Sequence, residues 1–126
     1  MAPGFRVTEL DHIVLTCRDV EATIAWYCDE LGLAPVRVDE WRRGEAPFAS
    51  VRVNAATIID LLPGPAEPGR LDHICLVIDP IDLGALAATG RFDVVDGPAP
   101  RFGARGDGTS LYVRDPDGTV VELRHY

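Results

Sequence analysis

One pattern of apolar and polar positions is written twice along this chain. Leu10-Asp11-His12-Ile13-Val14-Leu15 returns as Leu71-Asp72-His73-Ile74-Cys75-Leu76, five of six positions identical at an offset of 61. Repeats of this kind report a duplicated supersecondary unit. Both copies continue as apolar, β-branched residues and so read as strands. Each then meets an aspartate, Asp19 or Asp79, placed to cap a helix. Pro80 would take the first helical position, where its missing N–H is harmless.

Val20, Ile24, Tyr27, Cys28 and Leu31 form a helical stripe, so the first helix is predicted over about Val20–Leu31, with Gly32 as its stop. The second is predicted over about Pro80–Ala88, ending near Gly90. Strand-like segments follow in each half: near Ala34–Val38, Phe48–Asn54 and Thr57–Leu62, then near Phe92–Val95, Thr109–Arg114 and Thr119–His125. Asp115-Pro116-Asp117-Gly118 reads as a turn closing a hairpin. Each half is thus strand, helix and three strands. The predicted fold class is α+β, two βαβββ modules forming an eight-stranded open cup. Residues 1–126 make one domain, with module 1 at about 8–62, a Pro/Gly linker at 63–69 and module 2 at about 70–126.

Strand alternation then selects candidate chemistry. His12 shares a face with Leu10, Val14 and Thr16; His73 shares one with Leu71, Cys75 and Val77. In the last strand of each module an acid interrupts an apolar run: Asp60 within Ile58–Leu62 and Glu122 within Val120–Leu123. The spacings are 48 residues from His12 to Asp60 and 49 from His73 to Glu122. A carboxylate in a buried strand needs compensation, and a divalent cation provides it. His12, His73 and Glu122 make a three-point set with open positions, suited to one Fe, Mn, Ni, Co or Zn ion. Asp60 is a further ligand, an acid behind the ligands, a general base or a cap on the linker. His125 falls on the face opposite Glu122.

Composition narrows the partners. The formal charge is −8, with 47% hydrophobic and 25% charged residues. Such a chain lacks the basic face of a nucleic-acid binder. No apolar run approaches the roughly 20 residues that span a bilayer, and Met1–Leu10 has no signal-peptide core. The expectation is a cytoplasmic protein with no membrane and no nucleic-acid partner. Cys17, Cys28 and Cys75 form no disulfide framework and are expected to be reduced, small and buried.

Leu10–Thr16, Asp19, Ala22–Tyr27 and Leu31-Gly32-Leu33 resemble the opening of the glyoxalase/bleomycin-resistance/dioxygenase group, the vicinal-oxygen-chelate superfamily. Ser110–Leu123 resembles its closing hairpin. The resemblance spans nearly the whole chain, and the first module most resembles small relatives of biphenyl-diol dioxygenases. It implies paired βαβββ modules, a metal in the cup, substrates with neighbouring oxygens and a homodimer. Ring-cleaving extradiol dioxygenases use two His and one Glu, positions that match His12, His73 and Glu122. The acid that glyoxalase I draws from its first module matches Asp60, which is one methylene shorter than the usual Glu. Extradiol enzymes carry further histidines and a tyrosine near the metal; this chain has 3 histidines in all.

The Gly97–Gly108 stretch, rich in Gly, Pro and Arg, is a candidate lid, with Arg101 or Arg105 meeting an anionic substrate. Arg52 and Tyr112 are candidate cup-lining contacts; Arg42 and Arg43 read as surface. The leading expectation is a divalent-metal-dependent enzyme on a small oxygenated substrate, with an extradiol-like dioxygenase first. A glyoxalase-like lyase or isomerase, with Asp60 or Glu122 moving the proton, comes second. A metal-free binder of an antibiotic or other small ligand is the alternative from a different class. Thiol transfer of the fosfomycin kind ranks low, because its basic and tyrosine-rich motifs are not evident.

Overall fold

The alternating segments become strands that are paired within their own half. A computed structural model of the chain describes residues 8–65, 67, 71, 73–103 and 105–126. Met1–Val7, Ala66, Pro68 and Gly69 of the linker, Arg70, Asp72 of the repeat and Ala104 lie outside the described residues. The chain divides into two compact units, Met1–Ala66 and Glu67–Tyr126.

In the first unit, β1 (His12–Cys17) pairs in parallel with β4 (Ile58–Pro63). The antiparallel partners β3 (Ala49–Arg52) and β2 (Ala34–Val36) complete the order β1-β4-β3-β2. Helix α1 (Val20–Ala25) runs into a π-helical turn, Trp26–Glu30. Asp19 Oδ1 accepts from Ala22 N at 3.1 Å, so the predicted cap forms. Helix α1 lies against β3 and β4. Leu15, Cys17, Ala49, Val51, Ile59 and Leu61 bury on this side with Val20, Ile24 and Tyr27. Each large aliphatic among them contributes roughly 1.5–3 kcal/mol. The opposite face carries His12, Val14 and Thr16 of β1 with Asp60 and Ser50.

The second unit repeats the topology: β5 (Ile74–Val77) is parallel to β8 (Val120–His125), and β7 (Gly106–Arg114) and β6 (Asp93–Gly103) follow antiparallel, in the order β5-β8-β7-β6. Leu111, Val113, Val121 and Leu123 are buried. Asp115 Oδ1 accepts from the backbone N–H groups of Asp117 and Thr119, both at 2.9 Å, and Gly118 takes φ +86°, closing the predicted turn.

Four local expectations are corrected. The second helix, α3 (Leu83–Ala88), is capped by Asp82, whose Oδ1 accepts from Ala85 N at 3.0 Å; Asp79 and Pro80 precede it. The strand expected to reach Val38 stops at Val36, and Val38 instead opens helix α2 (Val38–Arg42), entered because Arg37 adopts a left-handed φ of 58°. The Gly97–Gly108 stretch is no separate lid: most of it forms the paired arms of β6 and β7. As the edge strand, β6 can hold Pro98 and Pro100 without losing a bond on its outer side. Gly97 is required there, because a Cβ would sit 2.6 Å from Ser110 O. Finally, Cys17 is buried but Cys75 is exposed, since alternation puts Cys75 on the His73 face.

Candidate functional site

The parallel pairing of first and last strands determines what meets each histidine. Asp60 pairs with Val14 and Glu122 with Cys75. Val14 and Cys75 each lie two residues beyond their histidine, on its face. Each acid therefore arrives beside its own unit's histidine in the same register.

In the second unit His73 Nε2 lies 3.1 Å from Glu122 Oε1. The other oxygen, Oε2, accepts from Ser110 Oγ at 2.6 Å and from Arg124 Nη1 at 3.1 Å. Glu122 and Arg124 are 4% and 3% exposed, so this is a buried ion pair. Burial opposes ionisation of Glu122. Hydrogen bonds from Ser110 and Tyr112 and the charges of His73 and Arg124 outweigh it, and its pKa lies below the ordinary 4.5. Tyr112, opposite Glu122 in the ladder, packs its ring edge against His73, centroids 5.8 Å apart. Burial, then its hydrogen bond to Glu122, raises the Tyr112 pKa above 10.0 and keeps the phenol protonated.

In the first unit His12 Nε2 lies 3.8 Å from Asp60 Oδ2. Asp60 Oδ1 accepts from Ser50 Oγ at 2.6 Å, and Arg37 Nη2 lies 3.7 Å from it. Arg37 also donates to Ser50 Oγ at 3.0 Å and stacks over Phe48 at 5.2 Å. On the far side of the ring, His12 Nδ1 sits 2.8 Å from Asp11 Oδ2. That hydrogen bond is the main reason its pKa rises above 6.5; desolvation opposes it, and the charges of Asp60 and Asp11 add to it. A neutral ring donating from Nδ1 leaves the Nε2 lone pair available, as metal-binding histidines require.

These distances test the fit to a metal. Two donors about 2.1 Å from one ion, at octahedral or tetrahedral angles, stand about 3.0–3.4 Å apart. The 3.1 Å of His73 and Glu122 fits; the 3.8 Å of His12 and Asp60 is too wide. Among the described residues no three or more His, Cys, Asp or Glu side chains cluster closely enough to hold a metal ion. Each unit supplies a pair of donors, and the donor chemistry suits a divalent cation.

The other sequence candidates fall elsewhere. Arg52 turns its guanidinium to the carbonyls of Asn54 and Ala55. Arg101 pairs with Asp96 at 2.9 Å and lies over the Tyr112 ring at 5.9 Å. Arg105 lies over Tyr126 at 4.6 Å. Arg42 makes a bidentate surface pair with Glu21. Sequence reasoning missed Ser50, Ser110, Arg37 and Arg124. Alternation along Val120–His125 does put Arg124 on the face of Glu122, a signal that was there to use.

A family model described as the Glyoxalase/Bleomycin resistance protein/Dioxygenase superfamily matches residues 9–123. The chain belongs to that superfamily. It is 31% identical over 124 residues to the virulence protein STM3117 of Salmonella typhimurium, covering 95% of this chain and 85% of that protein. The crystal structure of that virulence protein superposes with a TM-score of 0.76 at 26% identity, covering 97% of this chain and 99% of the other. The glyoxalase domain-containing protein RDO1 of Mycosarcoma maydis is 37% identical over 124 residues, covering 95% of this chain and 69% of that protein. A glyoxalase/dioxygenase from Nostoc punctiforme superposes with a TM-score of 0.75 at 25% identity, covering 99% and 94%. Among the described residues no helix is long and apolar enough to cross a membrane.

Proposed function

We propose that this protein is a divalent-metal-dependent enzyme acting on a small oxygenated substrate, with His12, His73 and Glu122 as the metal ligands. The observation that carries this reading is the 3.1 Å approach of His73 Nε2 to the single outward oxygen of a buried glutamate. His12, with its ring oriented by Asp11, is the third donor of the set. A bound divalent cation there supplies Lewis-acid polarisation of adjacent substrate oxygens.

The chain's own residues divide the remaining tasks. Tyr112 stays protonated beside His73, with its phenol O–H donated to Glu122, and its oxygen lone pair accepts from a substrate hydroxyl. Asp60 holds one oxygen free near His12 and accepts a proton there. Two histidines and one glutamate match the ring-cleaving set, so an extradiol-like dioxygenase is the first subtype. A glyoxalase-like lyase or isomerase is the second, favoured by the free oxygen of Asp60. The names of the glyoxalase-domain and glyoxalase/dioxygenase relatives support the class without choosing between these.

The test is metal content of anaerobically purified protein beside the His12→Ala/His73→Ala double variant. One equivalent of a transition metal in the wild type, absent from the variant, is expected. Oxygen uptake with a panel of catechols then separates the subtypes. No metal, and none taken up on reconstitution, would overturn the catalytic reading in favour of a small-ligand binding protein.

A further inference from the structure

The two acids share a device. In both units a serine that is 0% exposed donates to one carboxylate oxygen at 2.6 Å, and an arginine stands on that same oxygen's side. Only the second oxygen faces the histidine. The two versions are built differently. Ser50 is directly opposite Asp60 in the ladder, within reach of a short side chain. Ser110 is opposite Arg124, diagonal to Glu122, and the extra methylene of Glu spans that diagonal. The arginines also differ in origin: Arg37 reaches back from a left-handed residue after β2, whereas Arg124 is two residues beyond Glu122. The same arrangement reached by two routes is not a by-product of one register.

We propose that Ser50 and Ser110, each with its arginine, are positioning residues that occupy one oxygen of Asp60 and Glu122 so that each acid presents a single oxygen toward its histidine. For Glu122 the consequence, which rests on the function proposed above, is one-oxygen rather than two-oxygen ligation. A bidentate carboxylate would need Oε2, and Oε2 is committed to Ser110 and Arg124. Removing the hydroxyl frees the carboxylate to rotate. Losses of about 10–100-fold in metal affinity are usual when such an outer hydrogen bond is removed.

The probe is Co(II), titrated into the metal-free full chain and followed by its visible absorption, for wild type, Ser110→Ala and Ser110→Thr. Crystal structures of metal-free wild type and Ser110→Ala accompany it. Ser110→Ala is expected to weaken Co(II) binding about 10–100-fold, alter the absorption bands and turn the Glu122 carboxylate. Ser110→Thr, which keeps the hydroxyl, is expected to restore affinity and spectrum. Wild-type affinity, spectrum and Glu122 orientation in Ser110→Ala would overturn the proposal, as would equal losses in both variants with Glu122 unmoved. If wild type takes up no Co(II), the metal reading falls by itself, and the Glu122 orientation still decides the role of Ser110. If Ser110→Ala does not fold, the crystal structure of metal-free Ser50→Ala decides: a turned Asp60 carboxylate is expected, and an unmoved one would overturn the proposal.

Discussion

The His73–Glu122 pair and the His12–Asp60 pair occupy the same register in two copies of one topology, yet they are not chemically equal. Glu122 reaches within 3.1 Å of its histidine and shares a buried site with Arg124. Asp60, one methylene shorter, stops at 3.8 Å, and its arginine, Arg37, has a side chain 42% exposed. Duplication has thus retained a scaffold while side-chain length and arginine burial have specialised each site. One copy brings its carboxylate within 3.1 Å of the histidine. The other keeps a carboxylate near, but outside, that distance.

The largest expected difference is in stability. Glu122→Ala would strand the 3% exposed Arg124, and losing one partner of a buried pair costs about 3–5 kcal/mol. Asp60→Ala leaves Arg37 free to turn toward solvent and should cost about 1–2 kcal/mol. Urea unfolding of the two metal-free variants measures both; equal losses would abolish the distinction. Next comes metal affinity. Glu122→Gln is expected to lower it more than about 100-fold and Asp60→Asn less than about 10-fold, read by competition against a chromophoric chelator. A larger loss in Asp60→Asn would make Asp60 the ligand.

The two sites should also respond to pH with opposite signs. Glu122 has a folded pKa below 4.5. Its contribution is present above the unfolded value and is lost as pH falls through the lowered folded value. His12 has a folded pKa above 6.5. Its contribution is complete below the unfolded value and is lost as pH rises through the folded one. Thermal melts of metal-free wild type, Glu122→Gln and His12→Ala from pH 3 to 9 should therefore diverge at opposite ends. Divergence at the same end would contradict the assignment. The smallest effect concerns the helix that differs from expectation: Asp82→Ala should cost about 1 kcal/mol and Asp79→Ala under about 0.5 kcal/mol, by denaturant unfolding.

Much of this was legible in the chain. The offset repeat, the alternation in His12–Cys17 and Ile74–Val77, and the Asp115–Gly118 turn act through neighbours in sequence, so they specify the modules and place each histidine and acid on one face. The missed elements depend on contacts absent from any local window. Helix α2 begins because Arg37 turns left-handed, and β6 extends through two prolines because it is an edge strand. Asp82 displaces Asp79 as the cap of α3 although both are aspartates.

By itself the sequence determined which residue types recur, at what spacing and on which side of a strand. Period-two geometry needs no more than the order of residues. Only the tertiary structure decided which carboxylate oxygen faces which histidine. That choice is made by Ser50 and Ser110 on neighbouring strands and by two arginines arriving from different places in the chain. A single methylene then converts the same register into 3.1 Å in one unit and 3.8 Å in the other.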